Sequence, residues 1–148
     1  MTKHDAVKTY FEPKIQELTR DVLHFNYSPE SADSFWLITN YAEKEVKRFI
    51  SGKTRKAYGF TVEVVKEYST SSDDLNLECM NFVQGFMDWL EEQNNRKNYP
   101  DFGAGCEIET IELLQNMPNF AGINAQAGLA RYMVQGRILY FDYTEMML

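Results

Sequence analysis

The strongest constraint in this sequence is a run near its middle, residues 75–94, whose apolar residues recur at the spacing of an α-helix. They fill much more than the stripe of about 100° that a surface helix usually buries. The apolar residues are Leu75, Cys79, Met80, Phe82, Val83, Phe86, Met87, Trp89 and Leu90. A single sheet does not easily cover so wide a face, so a second element has to cover the remainder.

Two interpretations of this helix stay open at the level of sequence. In the first, another helix of the same chain lies beside it and completes an ordinary core. In the second, a copy of the protein or another partner covers part of the apolar face, because exposed apolar patches mark interaction surfaces. The candidate interface residues on the helix are then Phe82, Phe86 and Trp89.

The rest of the chain predicts one more helix and five strands. The first helix lies within residues 5–23, and Pro13 favours a start near Glu12 with the proline in the first turn. A loop at residues 26–34 follows, and polar residues 69–74 supply the N-cap of the central helix. Strands are predicted at residues 35–39, 46–50, 57–68, 107–114 and 129–143.

This order predicts an α+β domain spanning residues 1–148, with a mostly antiparallel or mixed sheet of about four to five strands packed by two helices. The second and third strands form a hairpin around the polar turn "SGKTRK". The last strand is long and half-buried. Its buried side is predicted to carry Ala130, Tyr132, Val134, Ile138 and Tyr140, with Arg131, Gln135 and Arg137 on the other side.

Composition narrows the class of protein. With 44% hydrophobic and 25% charged residues, the chain is typical of a folded domain. Its net charge of -7 argues against a general nucleic-acid binder, since phosphate binding needs clustered Lys and Arg. Cys79 and Cys106 stand alone, which favours two reduced thiols in a cytosolic protein. The sequence has no apolar run long enough for a membrane span and no signal-peptide pattern at its start.

No catalytic, metal or cofactor motif stands out, so the sequence predicts a protein that is not an enzyme. His4 and His24 are unrelated in position, and Glu91 and Glu92 are adjacent, so their side chains point in different directions. An enzyme site built on Asp101, Glu107 and Tyr132 is the remaining catalytic alternative. One basic cluster is present, formed by Lys47, Arg48, Lys53, Arg55 and Lys56. It is either a solvated hairpin tip or a contact for an acidic partner or DNA backbone.

Several short motifs, in order, resemble one protein family. They are "WLEEQN" at 89–94, "NYPDFG" at 98–103, "IELL" at 111–114 and "ARYMVQGRILYF" at 130–141, together with the hairpin "VKRFISGKTRKAYGFTVEV" at 46–64. The family consists of small structural proteins from the head and tail gene clusters of tailed bacteriophages and prophages of Gram-positive bacteria, often labelled minor capsid proteins. Within it, the chain looks like a tail terminator over residues 35–143.

The resemblance implies a tail-terminator-like fold and a non-enzymatic virion protein, located at the head-tail junction after assembly in the host cytoplasm. Tail terminators form a homo-oligomeric, hexameric ring that ends the tail tube and joins it to the head connector. DNA passes through the ring lumen without sequence-specific binding, and no membrane or cofactor is involved. The central helix and the basic hairpin are the candidate contacts with other subunits or with the tail tube protein. A head-tail connector or head-completion protein, or a small bacterial ligand-binding module, is the alternative.

Overall fold

The computed structural model describes residues 2–19, 22–26, 28, 30–40 and 46–144. Its two helices are α1 (Lys3–Thr19) and α2 (Asp73–Asn95). Its strands are β1 (His24–Phe25), β2 (Ser34–Asn40), β3 (Lys47–Arg48), β4 (Thr54–Glu67), β5 (Cys106–Leu113), β6 (Asn119–Asn124) and β7 (Leu129–Asp142). The α+β class is therefore confirmed, but the sheet has seven strands where four to five were predicted.

Two long antiparallel strands, β4 and β7, form the centre of the sheet. They pair along their whole length, from Thr54 opposite Asp142 to Glu67 opposite Leu129. On the far side of β4 lies β2, which β1 joins in parallel, so the sheet is mixed. On the far side of β7, β5 pairs with its C-terminal half and β6 with its N-terminal half. The segment from β5 to β6 is therefore one interrupted strand along a single edge of β7.

The apolar core lies on one face of the sheet, and over residues 60–65 β4 is buried on its other face as well. Phe60, Val62 and Val64 of β4 are fully buried beneath the helices, as are Val134 and Ile138 of β7. The predicted buried side of β7 is confirmed, and the predicted polar side is less buried. That opposite face carries ion pairs between strands, which join Arg131 to Glu63, Arg137 to Glu112 and Arg55 to Glu109.

Gly136 occupies the one position in β7 where the core leaves no room for a side chain. A Cβ atom there would lie 2.7 Å from Cζ of Phe60 and 2.9 Å from the carbonyl oxygen of Glu112. The Phe60 ring therefore lies directly against the backbone of β7, which is a known use of glycine inside a strand.

The first helix differs from its prediction. It begins at Lys3 rather than near Glu12, and Pro13 lies inside it. Val7, Phe11 and Ile15 are all fully buried at a spacing of four, so burial of this stripe outweighs the hydrogen bond that the proline cannot donate. Residues 20, 21, 27 and 29, assigned by sequence to the helix end and the following loop, lie outside the described residues.

The hairpin is confirmed, with strand limits that differ from the prediction. Only Lys47 and Arg48 of the predicted strand 46–50 pair with β4. The turn closes earlier, where Phe49 N donates to Lys53 O at 3.0 Å and Gly52 has a φ of 97°. Arg55 is therefore a residue of β4, with its guanidinium held by Glu109, rather than a residue of the turn.

The helix α2 and the strands around it were predicted nearly as observed. Ser72 is the N-cap, and its Oγ accepts from Leu75 N at 3.3 Å. The short strands β1 and β6 were not predicted. β6 has the sequence "NFAGIN", in which two Asn and one Gly hide the alternation typical of a strand.

Candidate functional site

The apolar face of α2 is covered mainly by its own chain. Phe86 is 1% exposed and its ring lies 5.5 Å from that of Phe35 and 6.0 Å from that of Phe11. Phe11 belongs to α1, so the first helix does lie beside α2 and completes the core. The assignment of Phe86 to an interface stays a prediction, but a side chain this deep in the core of one chain has almost no surface to offer.

Trp89 lies at the seam between the two helices. Its ring centroid is 6.0 Å from that of Tyr10 and 5.8 Å from that of Phe86, onto which it stacks. The ammonium of Lys14 lies 5.9 Å from the Trp89 ring centroid. Trp89 is thus half-buried by α1, and only part of its surface remains for another molecule.

Phe82 is half-buried on the other side of α2. Its ring lies 6.0 Å from Phe35, and Lys66 Nζ sits 4.1 Å from the ring centroid. Lys66 is in turn paired with Asp33. Phe82 is thus packed by groups of its own chain as well, and of the three predicted helix residues only Phe82 and Trp89 keep any exposed surface.

The solvent side of α2 is strongly acidic. The helix has six Asp and Glu residues and no Lys or Arg, and all six are exposed: Asp73, Asp74, Glu78, Asp88, Glu91 and Glu92. Asp73 and Asp74 lie in the first turn, where negative charge complements the helix dipole. Since the whole chain has a net charge of -7, this one helix carries most of the excess.

Among the described residues, Arg55 and Lys56 of the predicted basic cluster are neutralised by carboxylates of the same chain. Arg55 makes a bidentate pair with Glu109, at 2.7 Å from Nε and 3.0 Å from Nη2. Lys56 Nζ lies 2.7 Å from Oδ2 of Asp142. These side chains tie β4 to β5 and to β7, so they stabilise the sheet rather than present charge to a partner.

Lys53 and Lys47 lie against aromatic rings at the hairpin tip. Lys53 Nζ is 4.8 Å from the ring centroid of Phe49 and 4.6 Å from that of Phe141, and Lys47 Nζ is 4.9 Å from that of Phe49. Such contacts leave the cations charged and partly accessible. Lys47, Lys53 and the exposed Arg48 are the members of the predicted basic cluster that lie at the surface of the hairpin tip.

Asp142 is the most perturbed carboxyl group of the described chain. Its burial acts to raise the pKa, but hydrogen bonds from Lys56 and Thr144 outweigh that effect and lower the pKa to about 2. The pair is almost fully formed at neutral pH. This ion pair therefore holds β4 and β7 together at the end of the sheet.

A surface that the sequence reasoning missed lies beyond β5. Residues 113–130, which we call the neutral segment, contain no Asp, Glu, Lys or Arg. They include β6 and present four large apolar side chains to solvent, each between 48% and 60% exposed. These are Leu114, Met117, Phe120 and Ile123. The sequence signal was the long absence of charge in a chain of which a quarter is charged.

The backbone of the neutral segment is held by defined hydrogen bonds. Leu114 N donates to Gln135 O at 2.9 Å, and Gln115 Nε2 donates to the carbonyl oxygens of Met117 and Met133, both at 2.8 Å. Further along, the Phe120 ring meets that of Tyr132 edge to face at 5.6 Å. Its apolar side chains are therefore displayed from a hydrogen-bonded frame.

The described residues do not form the proposed catalytic cluster. Glu107 lies opposite Phe141 and accepts from Tyr143 Oη at 3.1 Å, whereas Tyr132 lies nine positions away along β7, a separation of about 30 Å. Asp101 accepts from Gly103 N within its own loop. The sequence alternative of an enzyme site on these three residues is thus not supported by their placement.

The histidines and acidic side chains do not gather into a metal site. Within the described ranges, no group of three His, Cys, Asp or Glu side chains is placed to bind a metal ion. His4 Nδ1 instead lies 2.7 Å from Tyr58 Oη, and burial raises the pKa of Tyr58 to about 12. Cys79 and Cys106 are both free. Neither described helix is long and apolar enough to cross a membrane.

Comparison with known proteins gives this chain no family. No protein-family model matches it, and no match to a curated protein was found.

Proposed function

We propose that this protein is a non-enzymatic structural component of a phage virion, a tail terminator. In this role it forms a ring at the head-proximal end of the tail tube, stops tube polymerisation and joins the tail to the head connector. The observation that carries the proposal is the apolar surface left exposed after the chain has folded, on the neutral segment. A protein that acts by assembly needs such a surface.

The motifs that resemble tail terminators lie together in the fold. "WLEEQN" forms the end of α2, "NYPDFG" connects α2 to β5, and "IELL" ends β5. "ARYMVQGRILYF" covers most of β7, the strand with which β5 pairs. These four motifs are therefore contiguous in the fold, and the fifth, the hairpin at 46–64, leads into β4, which pairs with β7. This supports reading the motifs as a single unit.

A ring with one kind of subunit needs two different, complementary patches on each copy. The accessible part of the basic hairpin, Lys47, Arg48 and Lys53, is one candidate for contact with a neighbouring subunit or with the tail tube protein. The half-exposed rings of Phe82 and Trp89 remain a second candidate, but a smaller one than the sequence predicted.

The acidic side of α2 suits a surface along which DNA passes. Six exposed carboxylates, of which Glu92 is paired with Arg96 at 2.7 Å, would repel phosphate groups, more strongly at low ionic strength. If α2 lines the lumen, the genome passes without sticking. The proposal thus assigns the acidic side of α2 to the channel and leaves the hairpin, the aromatic side of α2 and the sheet edges for contacts between subunits.

Electron microscopy of a tube-capping reaction tests the proposal. Purified protein is added to polymerising tail tube subunits from the same gene cluster, and tube ends and lengths are recorded with and without it. We expect rings at one end of each tube and shorter tubes. Tubes that keep growing with bare ends would contradict the proposal, and rings found only on head connectors would favour the connector alternative.

A further inference from the structure

We infer that each copy of this protein packs its neutral segment, with Met117, Phe120 and Ile123 at the centre of the contact, against a different patch of the neighbouring copy. The inference rests on the proposed function, because it names the surface through which the copies of a ring would associate. In this inference the neutral segment, rather than α2, is the main apolar contact between copies.

The first argument is the placement of the apolar side chains. Phe120 lies opposite Tyr132, and Ile123 opposite Ala130, so both point to the face of the sheet that the helices cover. Yet both are about half exposed, whereas Tyr132 and Ala130 are buried. The helical layer thus stops short of this corner of the sheet, and an apolar surface is left there.

The second argument is charge, and it identifies the occupant. Two copies with a net charge of -7 repel one another, and the repulsion is largest where the acidic sides of α2 approach. Residues 113–130 are a surface that one copy can bury against its neighbour without placing like charges opposite each other or burying an unpaired one. A basic partner would be drawn to α2 instead. The neutral segment therefore fits a second copy of this acidic chain.

The third argument is that the segment forms the edge of the sheet. Among the described strands, β6 pairs only with β7, so its other edge is open. Exposed edges are usually protected by charged side chains, and β6 has none. Pro118 and the bulge between Phe120 and Gly122 shorten the available ladder. The contact is accordingly made by side chains, with at most a few backbone hydrogen bonds.

The sign of the salt dependence separates this surface from the basic hairpin. Association through a neutral apolar contact strengthens with salt, since screening reduces the repulsion between acidic copies. Association through Lys47, Arg48 and Lys53 onto acidic groups would weaken instead. Sedimentation velocity of the full chain over a range of NaCl and protein concentrations measures this directly. Self-association that weakens with salt overturns the inference.

Charge insertion tests the residues. Phe120→Asp and Met117→Asp should each raise the concentration for half-association about tenfold or more. Val22→Asp is the matched control, since Val22 is 46% exposed beside the opposite edge of the sheet and the variant adds the same charge. It should shift association by less than about threefold. Circular dichroism and thermal melts establish that each variant is folded. If Phe120→Asp does not fold, Met117→Asp tests the same surface.

The outcomes separate this inference from the proposed function. Folded variants of Phe120 and Met117 that associate like wild type overturn the inference and leave the ring intact. A wild type that is monomeric at every concentration but caps tubes overturns it as well, and loss of capping in Phe120→Asp would then identify the tube protein as the occupant. Copies that associate through the segment but ignore tubes contradict the proposed function alone.

Discussion

α2 and the neutral segment differ in a way that sequence hydrophobicity alone does not reveal. α2 is rich in large apolar side chains, and most of them are buried or partly buried by the rest of the chain, whereas Leu77 is 58% exposed. The neutral segment has fewer apolar side chains, interspersed with Asn, Gln and Gly, yet four of them are about half exposed. The width of an apolar stripe therefore does not decide whether it becomes an interface. The outcome depends on whether the same chain supplies a second layer over it.

The largest expected effect contrasts the two regions directly. Phe86→Ala should lower the free energy of unfolding by about 3–5 kcal/mol, because it empties a fully packed site between α1, α2 and β2. Phe120→Ala should lower it by less than about 1 kcal/mol, since half of that ring is already in water. Urea unfolding of the two variants measures both values. Similar losses would mean that the neutral segment is packed as tightly as the core.

Trp89 gives an intermediate case. Trp89→Ala should cost about 3 kcal/mol, because the ring packs between Tyr10 and Phe86 within one chain. The purified variant should unfold at lower urea and retain its self-association when folded. A variant of unchanged stability that no longer associates would instead show that Trp89 contacts another subunit.

Glycine substitutions compare the crowded sheet with the open helix surface. Gly136→Ala should destabilise by about 1–3 kcal/mol, because the new Cβ collides with Phe60 and with the carbonyl of Glu112. Gly85→Ala is the matched control in α2, where a Cβ meets nothing within 4 Å, and it should stabilise by about 1 kcal/mol. Thermal melts of both variants suffice. A neutral Gly136→Ala would show that the Phe60 ring moves aside.

The smallest effect concerns the ion pair between Lys56 and Asp142 at the end of the sheet. Because the pKa of Asp142 is lowered to about 2, its contribution is fully present above the unfolded value of about 3.9 and is lost as pH falls through about 2. Asp142→Asn should therefore reduce stability at neutral pH by on the order of 1 kcal/mol, after allowance for solvent screening. The difference from wild type should vanish near pH 2. A difference that persists there would point to lost packing instead.

Sequence reasoning predicted the fold class and the long elements because their patterns are strong. Alternation in β7 reflects burial mainly on one face, and the N-cap of α2 was signalled by its run of Ser and Asp. It missed β6, because Asn and Gly in that strand conceal any alternation and only pairing with β7 makes it a strand. It misplaced the start of α1, since the burial of Val7, Phe11 and Ile15 on the sheet outweighs the cost of Pro13.

The candidate surfaces were harder to predict than the elements. Phe86 was assigned to an interface because periodicity shows which residues share a face but not what covers that face. Arg55 and Lys56 were counted as part of a free cluster, although their partners, Glu109 and Asp142, lie far along the chain. The lack of charge at residues 113–130 was visible from the start. Its meaning depends on exposure, which only the assembled sheet reveals.

The pairing of β4 with β7 has a kinetic consequence. Residues 68–128, which include α2, β5 and β6, lie between these two strands, so the central ladder closes only after a long loop has been brought together. Proteins dominated by such distant contacts fold slowly. During that interval the apolar side of β4 has no cover, so chains that have not finished folding are exposed to aggregation, and chaperone binding at this stage would protect them.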